Sequence, residues 1–115
     1  MTNTVTLPWP SSILSGHAQG NGRWAKIAAT KKHREWARLA TVASGVRMLP
    51  DAGDIPIHFR FEPPDRRGDR TNFPNRLKPY IDGIADALGV NDSRFLPSYE
   101  FAPPAKPGAV IVRVG

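Results

Sequence analysis

Four aspartates stand in one of the more basic parts of this chain, the stretch RRGDRTNFPNRLKPYIDGIADALGVND from Arg66 to Asp92. Two of them flank a predicted helix: Asp69 precedes it and Asp92 follows it. Mg²⁺ typically takes one or two carboxylates together with water and substrate phosphate. A metal held by these two acids would polarise a phosphodiester and help to generate hydroxide from bound water. The neighbouring Arg67 and Arg70 would keep the carboxylates ionised and hold flanking phosphates.

The same stretch has a simpler interpretation, in which its charges only stabilise helices. A D-x-T-N sequence that opens a helix is typical of N-capping, with Thr71 or Asn72 satisfying free backbone N–H groups. One helical face also carries charges at i, i+4 and i+8, which form ordinary ion pairs in many helices: Lys78, Asp82 and Asp86. Residue spacing does not determine whether the two flanking aspartates meet, so both interpretations stay open at this point.

The elements that must position these side chains follow from hydrophobic periodicity and from turn residues. We predict an α+β domain spanning residues 1–115, in which two helices pack on a small mixed sheet in the order β-α-β-α-β-β. The predicted segments, in chain order, are a strand at Asn3–Leu7, a mobile loop at Ser11–Gly22, a helix at Thr30–Met48, a strand at Ile55–Glu62, a helix from near Pro79 to near Gly89, and strands at Arg94–Phe101 and Ala109–Val114.

The first predicted helix combines an apolar stripe with a basic surface. Thr30 is its expected N-cap. The stripe recurs at helical spacing and comprises Trp36, Leu39, Ala40, Ala43 and Val46. Lys31, Lys32 and Arg34 lie off the stripe, and we expect them to contact phosphates.

Composition favours a polyanionic partner. Sixteen Lys and Arg stand against ten Asp and Glu, which gives a formal charge of +6. Such an excess favours nucleic acid, because each phosphate neutralised releases condensed counterions. The chain has no cysteine, which excludes disulfides and thiolate-ligated zinc. It also lacks an apolar run of about 18 residues and an apparent secretory signal, so we expect a cytoplasmic protein without a membrane partner.

Three motifs, taken in order, resemble the RusA family of Holliday junction resolvases and its phage-borne branch in particular. They are TVTLPWPSS, PPDRRGDRTN, and K-x3-D followed by DALGVNDS. The resemblance implies a homodimeric nuclease that depends on Mg²⁺, with Mn²⁺ as an alternative. Such an enzyme resolves four-way DNA junctions by paired nicks in recombination and repair, in the cytoplasm of a bacterium or a phage-infected host.

Carried over position by position, the resemblance assigns catalysis to Asp69, Asp92 and Lys78, and metal binding to Asp69, Asp92 and Asn72. Thr71 and Asn91 stand where the family has acids, and they remove two negative charges; Asp82 or Asp86 would then be available to join the metal site. The expected DNA contacts are Arg66, Arg67, Arg70, Arg76, Lys31, Lys32 and Arg34. A basic protein that binds junctions without cleaving them is the alternative.

Overall fold

The computed structural model describes residues 3–15, 21–46 and 49–115 and has the α+β architecture predicted from the sequence. Its strands and helices follow in the order β1 (Thr4–Pro8), α1 (Asn21–Ser44), β2 (Ile55–Glu62), α2 (Lys78–Leu88), β3 (Phe95–Phe101) and β4 (Ala109–Val114). Three short 3-10 helices, Ser12–Ser15, Arg70–Arg76 and Asp92–Arg94, connect them. Among the described residues, no helix is long and apolar enough to cross a membrane.

The four strands form one mixed sheet in the order β1-β4-β2-β3. β2 pairs in parallel with β3, whereas β4 is antiparallel to both β1 and β2. Parallel neighbours need a crossover connection, and α2 lies in the segment that supplies it. The chain therefore leaves β2 at one end of the strand pair and enters β3 at the other. β3 is an edge strand whose Leu96, Tyr99 and Phe101 remain exposed.

Both helices cover one face of this sheet. The core joins the inward side chains of three strands to residues of α1, α2 and the 3-10 helix Arg70–Arg76. Its fully buried members include Phe59, Phe61, Ile84 and Tyr80. The burial pattern of β2 alternates along the strand, as a half-buried strand requires. Pro56 is the second residue of this central strand and therefore marks its start.

The predicted start of the first helix is wrong, since α1 already begins at Asn21. Thr30 lies inside the helix, where its hydroxyl donates to the Lys26 carbonyl at 2.8 Å. The predicted end of this helix at Met48 is too late, because α1 ends at Ser44 and Gly45 adopts a left-handed φ of 69°. Met48 itself and residues 16–20 of the predicted mobile loop lie outside the described residues.

The buried face of α1 also differs from the predicted stripe. Leu39 is 52% exposed, whereas His33 and Thr41 are buried. These two polar residues can be buried because each one bonds a backbone carbonyl one turn earlier: His33 Nδ1 bonds Ala29 and the Thr41 hydroxyl bonds Ala37.

The bounds predicted for the second helix are confirmed. α2 has Pro79 in its first turn and ends before Gly89, whose φ of 66° is the left-handed conformation that glycine tolerates. Its middle lies very close to α1. A Cβ on Gly83 would stand 2.1 Å from the Arg34 carbonyl oxygen and 2.8 Å from the Ala37 Cβ.

The segment that follows β1, the Pro8–Ser11 linker, is held by side chains from three elements. The Tyr80 hydroxyl of α2 donates to the Pro8 carbonyl at 2.6 Å. Arg76 Nη1 donates to the Pro10 carbonyl at 3.3 Å. The Ser11 backbone N–H donates to His33 Nε2 of α1 at 3.1 Å. These bonds fix the linker against the start of α2 and the middle of α1.

Candidate functional site

Lys78 joins two aspartates that lie apart in the sequence. It is the first residue of α2, and its Nζ donates to Asp82 Oδ1 at 2.9 Å, one helical turn further on. The same ammonium donates to Asp92 Oδ2. Asp92 reaches this position because Gly89 ends α2 and the chain then enters the 3-10 helix Asp92–Arg94. We call these three residues the Lys78 cluster.

Charge complementarity between Lys78 and Asp92 shifts the pKa of both groups toward their charged forms. The hydrogen bond from Lys78 holds the pKa of Asp92 below its usual value, and the Asp82 side chain contributes in the same direction. The bond to Asp92 in turn raises the pKa of Lys78, with Asp82 contributing next. The Lys78 ammonium is therefore shared between the side chains of Asp82 and Asp92.

An open cleft beside the cluster adds a second ion pair. Asp82, Asp86, Asn91 and Asp92 line it together with Arg34. Arg34 Nε and Nη2 donate to the two Asp86 oxygens at 2.7 and 2.9 Å, a bidentate pair that ties α1 to α2. This hydrogen bond is the main reason that the pKa of Asp86 is lowered. Arg34, predicted to contact DNA, thus already has an intramolecular partner.

Asp69 has a different environment. It caps the 3-10 helix Arg70–Arg76 by accepting from the Thr71 backbone N–H at 3.0 Å and from the Thr71 hydroxyl at 2.7 Å. The hydroxyl bond is the largest cause of its lowered pKa. Asn72 is exposed on this short helix, and its backbone N–H donates to the Asp69 carbonyl at 2.9 Å. The N-capping interpretation therefore applies, but with different roles from those predicted. Asp69, and not Thr71 or Asn72, is the capping residue, and Thr71 donates to it.

Asp69 and Asp92 have different partners and line different clefts. Asp69 lines a cleft formed by the basic loop after β2, whereas Asp92 lines the cleft beside Arg34. No hydrogen bond or ion pair among residues 3–15, 21–46 and 49–115 joins them.

The acids present can supply two ligands to a hard cation. In the described part of the chain, no group of three or more His, Asp or Glu side chains is suited to holding a metal. Asp82 and Asp92 nevertheless share one cation, the Lys78 ammonium. Two carboxylates are within the number that Mg²⁺ commonly takes from a protein. The donor chemistry therefore fits Mg²⁺ at Asp82 and Asp92, whereas the sequence-based set of Asp69, Asp92 and Asn72 stays a prediction.

The loop after β2 forms an exposed basic cleft of about 790 Å³. Arg66 and Arg70 line it, and neither pairs with an acid in the described ranges. Arg67 is engaged with Asp65, which accepts from the Arg67 backbone N–H at 2.9 Å and lies 3.9 Å from its Nε. Phe101 adds an apolar wall from the edge strand. The cleft thus offers two free guanidinium groups beside an exposed aromatic ring.

The other predicted DNA contacts divide into exposed and buried residues. Lys31 and Lys32 are exposed on α1, and the Lys32 ammonium lies 5.0 Å from the centre of the Trp36 ring. Arg76 does not belong to this exposed set, because only 8% of it is accessible. The guanidinium is turned inward, toward Trp9 and Phe73.

Sequence reasoning missed the polar anchors of the Pro8–Ser11 linker. Tyr80 and Arg76 bond residues 72 and 66 positions away in the sequence, and no local pattern predicts such pairs. The two prolines around Trp9 were a signal of a fixed conformation, but they do not identify the side chains that bind the intervening carbonyls.

Comparison with known proteins finds a relative of this chain but does not assign the chain to a family. No protein-family model matches the chain. It is 40% identical over 97 residues to an uncharacterized protein of Xylella fastidiosa strain Temecula1. The match covers 81% of this chain and 62% of the relative, so the chain spans less than two thirds of that protein's length. Since the relative is uncharacterized, the similarity to RusA resolvases stays a prediction.

Proposed function

We propose that this chain is an endodeoxyribonuclease of the RusA type that cleaves four-way DNA junctions. The observation that carries the proposal is the Lys78 cluster. Lys78 and Asp92 are two of the three positions that the resemblance assigns to catalysis, and they are in direct contact although 14 residues separate them. The α+β fold of the expected element order also supports the proposal.

The cluster has the charges that phosphodiester hydrolysis requires. Asp82 and Asp92 would hold Mg²⁺ or Mn²⁺, which when bound polarises the phosphodiester and lowers the pKa of a bound water. The bond from Lys78 lowers the pKa of Asp92, and the raised pKa of Lys78 keeps the ammonium charged at any physiological pH. A fixed ammonium beside the scissile phosphate would stabilise the negative charge that develops in the transition state.

The remaining basic residues supply the grip on DNA. Arg66 and Arg70 would bind backbone phosphates in the cleft after β2, and Lys31 and Lys32 would extend the contact along α1. A four-way junction has approximate two-fold symmetry, and two symmetric nicks need two active sites. A homodimer with an isologous interface supplies both sites from one chain.

The second candidate function is junction binding without cleavage. The observation that favours it is Asp69, which is occupied with capping and lies in a different cleft from Asp92. Thr71 adds a neutral hydroxyl where the family has an acid, and a hydroxyl is a poor Mg²⁺ ligand. In this candidate function the basic residues still bind DNA phosphates, but the chain does not hydrolyse the phosphodiester.

A labelled synthetic junction distinguishes the two. We expect the wild-type protein with Mg²⁺ to introduce paired nicks. Asp92→Asn should keep junction affinity and lose cleavage by about a hundredfold or more, since changes to residues that merely support metal ligands already cost about 10- to 100-fold. The matched control is Asp54→Asn, an exposed acid outside the cluster, which should cleave normally.

Two results would change the assignment. Intact strands under conditions of complete binding by the wild-type protein would leave only the binding function. Cleavage by Asp92→Asn at the wild-type rate would remove the Lys78 cluster from the mechanism. Asp69→Asn is the informative third variant, because normal cleavage by it would show that the capping aspartate takes no part.

A further inference from the structure

Arg76 carries a buried positive charge without an anionic partner. Only 8% of the residue is exposed. Its one hydrogen bond among the described residues goes to the neutral Pro10 carbonyl at 3.3 Å, and its Nε is buried without any partner. By contrast, Arg34, Arg38 and Arg60 lie at the surface and each pairs with a carboxylate. Removing an ion from water is costly unless an opposite charge compensates it.

The aromatic surroundings compensate this charge in part. The Arg76 Cζ lies 5.3 Å from the centre of the Phe73 ring and 6.0 Å from that of Trp9. The two rings meet edge to face at 4.9 Å and form a wall behind the guanidinium. Ring faces attract a cation more weakly than a carboxylate or phosphate does. The wall therefore positions the guanidinium and leaves its charge available to an anion.

Arg76 lines a cleft of about 410 Å³ that has the polar groups of an oxyanion site. Arg67 stands exposed at the cleft, and Ser11 and Ser12 line it from the Pro8–Ser11 linker and the turn that follows. Gly68 packs closely on the aromatic wall, because a Cβ there would lie 3.1 Å from the Phe73 ring and 4.0 Å from Arg76 Nη2. The acid in the cleft, Asp65, accepts from the Arg67 backbone N–H, and its Oδ2 lies 3.9 Å from Arg67 Nε, so an incoming phosphate competes with Asp65 for the Arg67 guanidinium.

We propose that this cleft binds a phosphate group, with Arg76 as the buried ligand and Arg67 as the exposed one. The recessed position of Arg76 favours a group that protrudes, such as the terminal phosphate of a DNA strand, over a phosphodiester within the backbone. Cleavage at the Lys78 cluster is not required, because the two sites share no residue. Phosphate binding would therefore persist if the chain turned out to have no nuclease activity.

Binding to the full chain is measured by calorimetry and by thermal melting. The ligands are inorganic phosphate and a short single-stranded oligonucleotide of one sequence, prepared with either a 5′-phosphate or a 5′-hydroxyl. We expect phosphate to raise the melting temperature, and the phosphorylated strand to bind about tenfold more tightly than the other. Arg76→Met keeps the length of the side chain and should abolish both effects. Arg113→Met, which removes an exposed arginine on β4, should preserve both.

The Arg76 side-chain N–H resonance provides a test in the wild-type protein that does not depend on the folding of a variant. We expect it to shift during phosphate titration. No shift and no stabilisation by phosphate would overturn the proposal, as would equal phosphate binding by Arg76→Met. A response to inorganic phosphate without preference for the phosphorylated strand would overturn the assignment to strand ends and identify a free phosphate as the ligand.

Discussion

Gly83 determines how closely the two helices approach, and Gly83→Ala is the sharpest test of the packing that positions the Lys78 cluster. An added Cβ would stand 2.1 Å from the Arg34 carbonyl oxygen. Carbon and carbonyl oxygen normally approach no closer than about 3.3 Å. The helices would therefore have to separate by about 1.2 Å, since backbone atoms cannot swing aside as side chains do.

The expected cost is the difference of two opposing effects. Overpacking a tight contact costs about 1–3 kcal/mol, and a backbone neighbour places this case at the upper end. Alanine is better than glycine inside a helix by about 1 kcal/mol. The net loss in the free energy of unfolding is about 2 kcal/mol. With an unfolding entropy of about 2.1 cal/mol/K per residue and 115 residues, the melting temperature should fall by about 8 °C.

Calorimetry and urea denaturation measure this loss, and Gly45→Ala is the matched control. Gly45 has a φ of 69° with no atom within 4 Å of an added Cβ. The control substitution therefore carries only the cost of the left-handed conformation, about 1–2 kcal/mol, without helix separation. If Gly83→Ala melts at or above the wild-type temperature, the close approach of α1 and α2 is not present in solution.

Two further predictions concern the linker and the DNA surface. Burial is the main cause that lowers the pKa of His33 from its ordinary 6.5, and the nearby Lys32 lowers it further. The unfolded chain therefore binds a proton below pH 6.5 that the folded chain resists, and the free energy of unfolding should decline as the pH falls below 6.5. Urea denaturation at a series of pH values measures this decline. His33→Phe should lose this decline, and a stability that rises on acidification would contradict the neutral acceptor role. Binding to a DNA junction should also depend less on salt when Lys31 and Lys32 are both replaced by Ala. If each lysine contacts one phosphate, the slope of log affinity against log salt concentration should fall in magnitude by about 1.8. The control Lys106→Ala should leave this slope unchanged. An unaltered slope in the double variant would remove both lysines from the contact surface.

The sequence is sufficient to predict the order of the strands and helices. It says much less about which residues far apart in the chain contact one another. β2 and α2 were predictable because their apolar residues repeat with periods typical of a strand and a helix. The start of α1 was not, since Asn21 lies in a Gly-rich stretch whose helicity depends on the helix that follows. The burial of His33 and Thr41 was also hidden, because it depends on hydrogen bonds to backbone carbonyls that only the folded helix provides.

The candidate site shows the same division. Lys78 and Asp82 are one helical turn apart, so their contact follows from the sequence. The contact of Lys78 with Asp92 depends on the return of the chain after Gly89, which only the resemblance anticipated. Asp69 and Asp92 line different clefts, and hydrophobic periodicity does not reveal the course of the loops that place them. Arg76 looked like a surface charge because a sequence does not show burial.

The pairing of β1 with β4 has a consequence for folding order. Thr4 lies opposite Arg113, so the first strand has no neighbour in the sheet until the fourth has been synthesised. The linker after β1 must likewise wait for Tyr80 and Arg76 to emerge from the ribosome. Contacts between such distant segments make folding slow, because loop closure costs entropy before any contact forms. During synthesis, β1 therefore lacks its partner strand until nearly the whole of this domain is available.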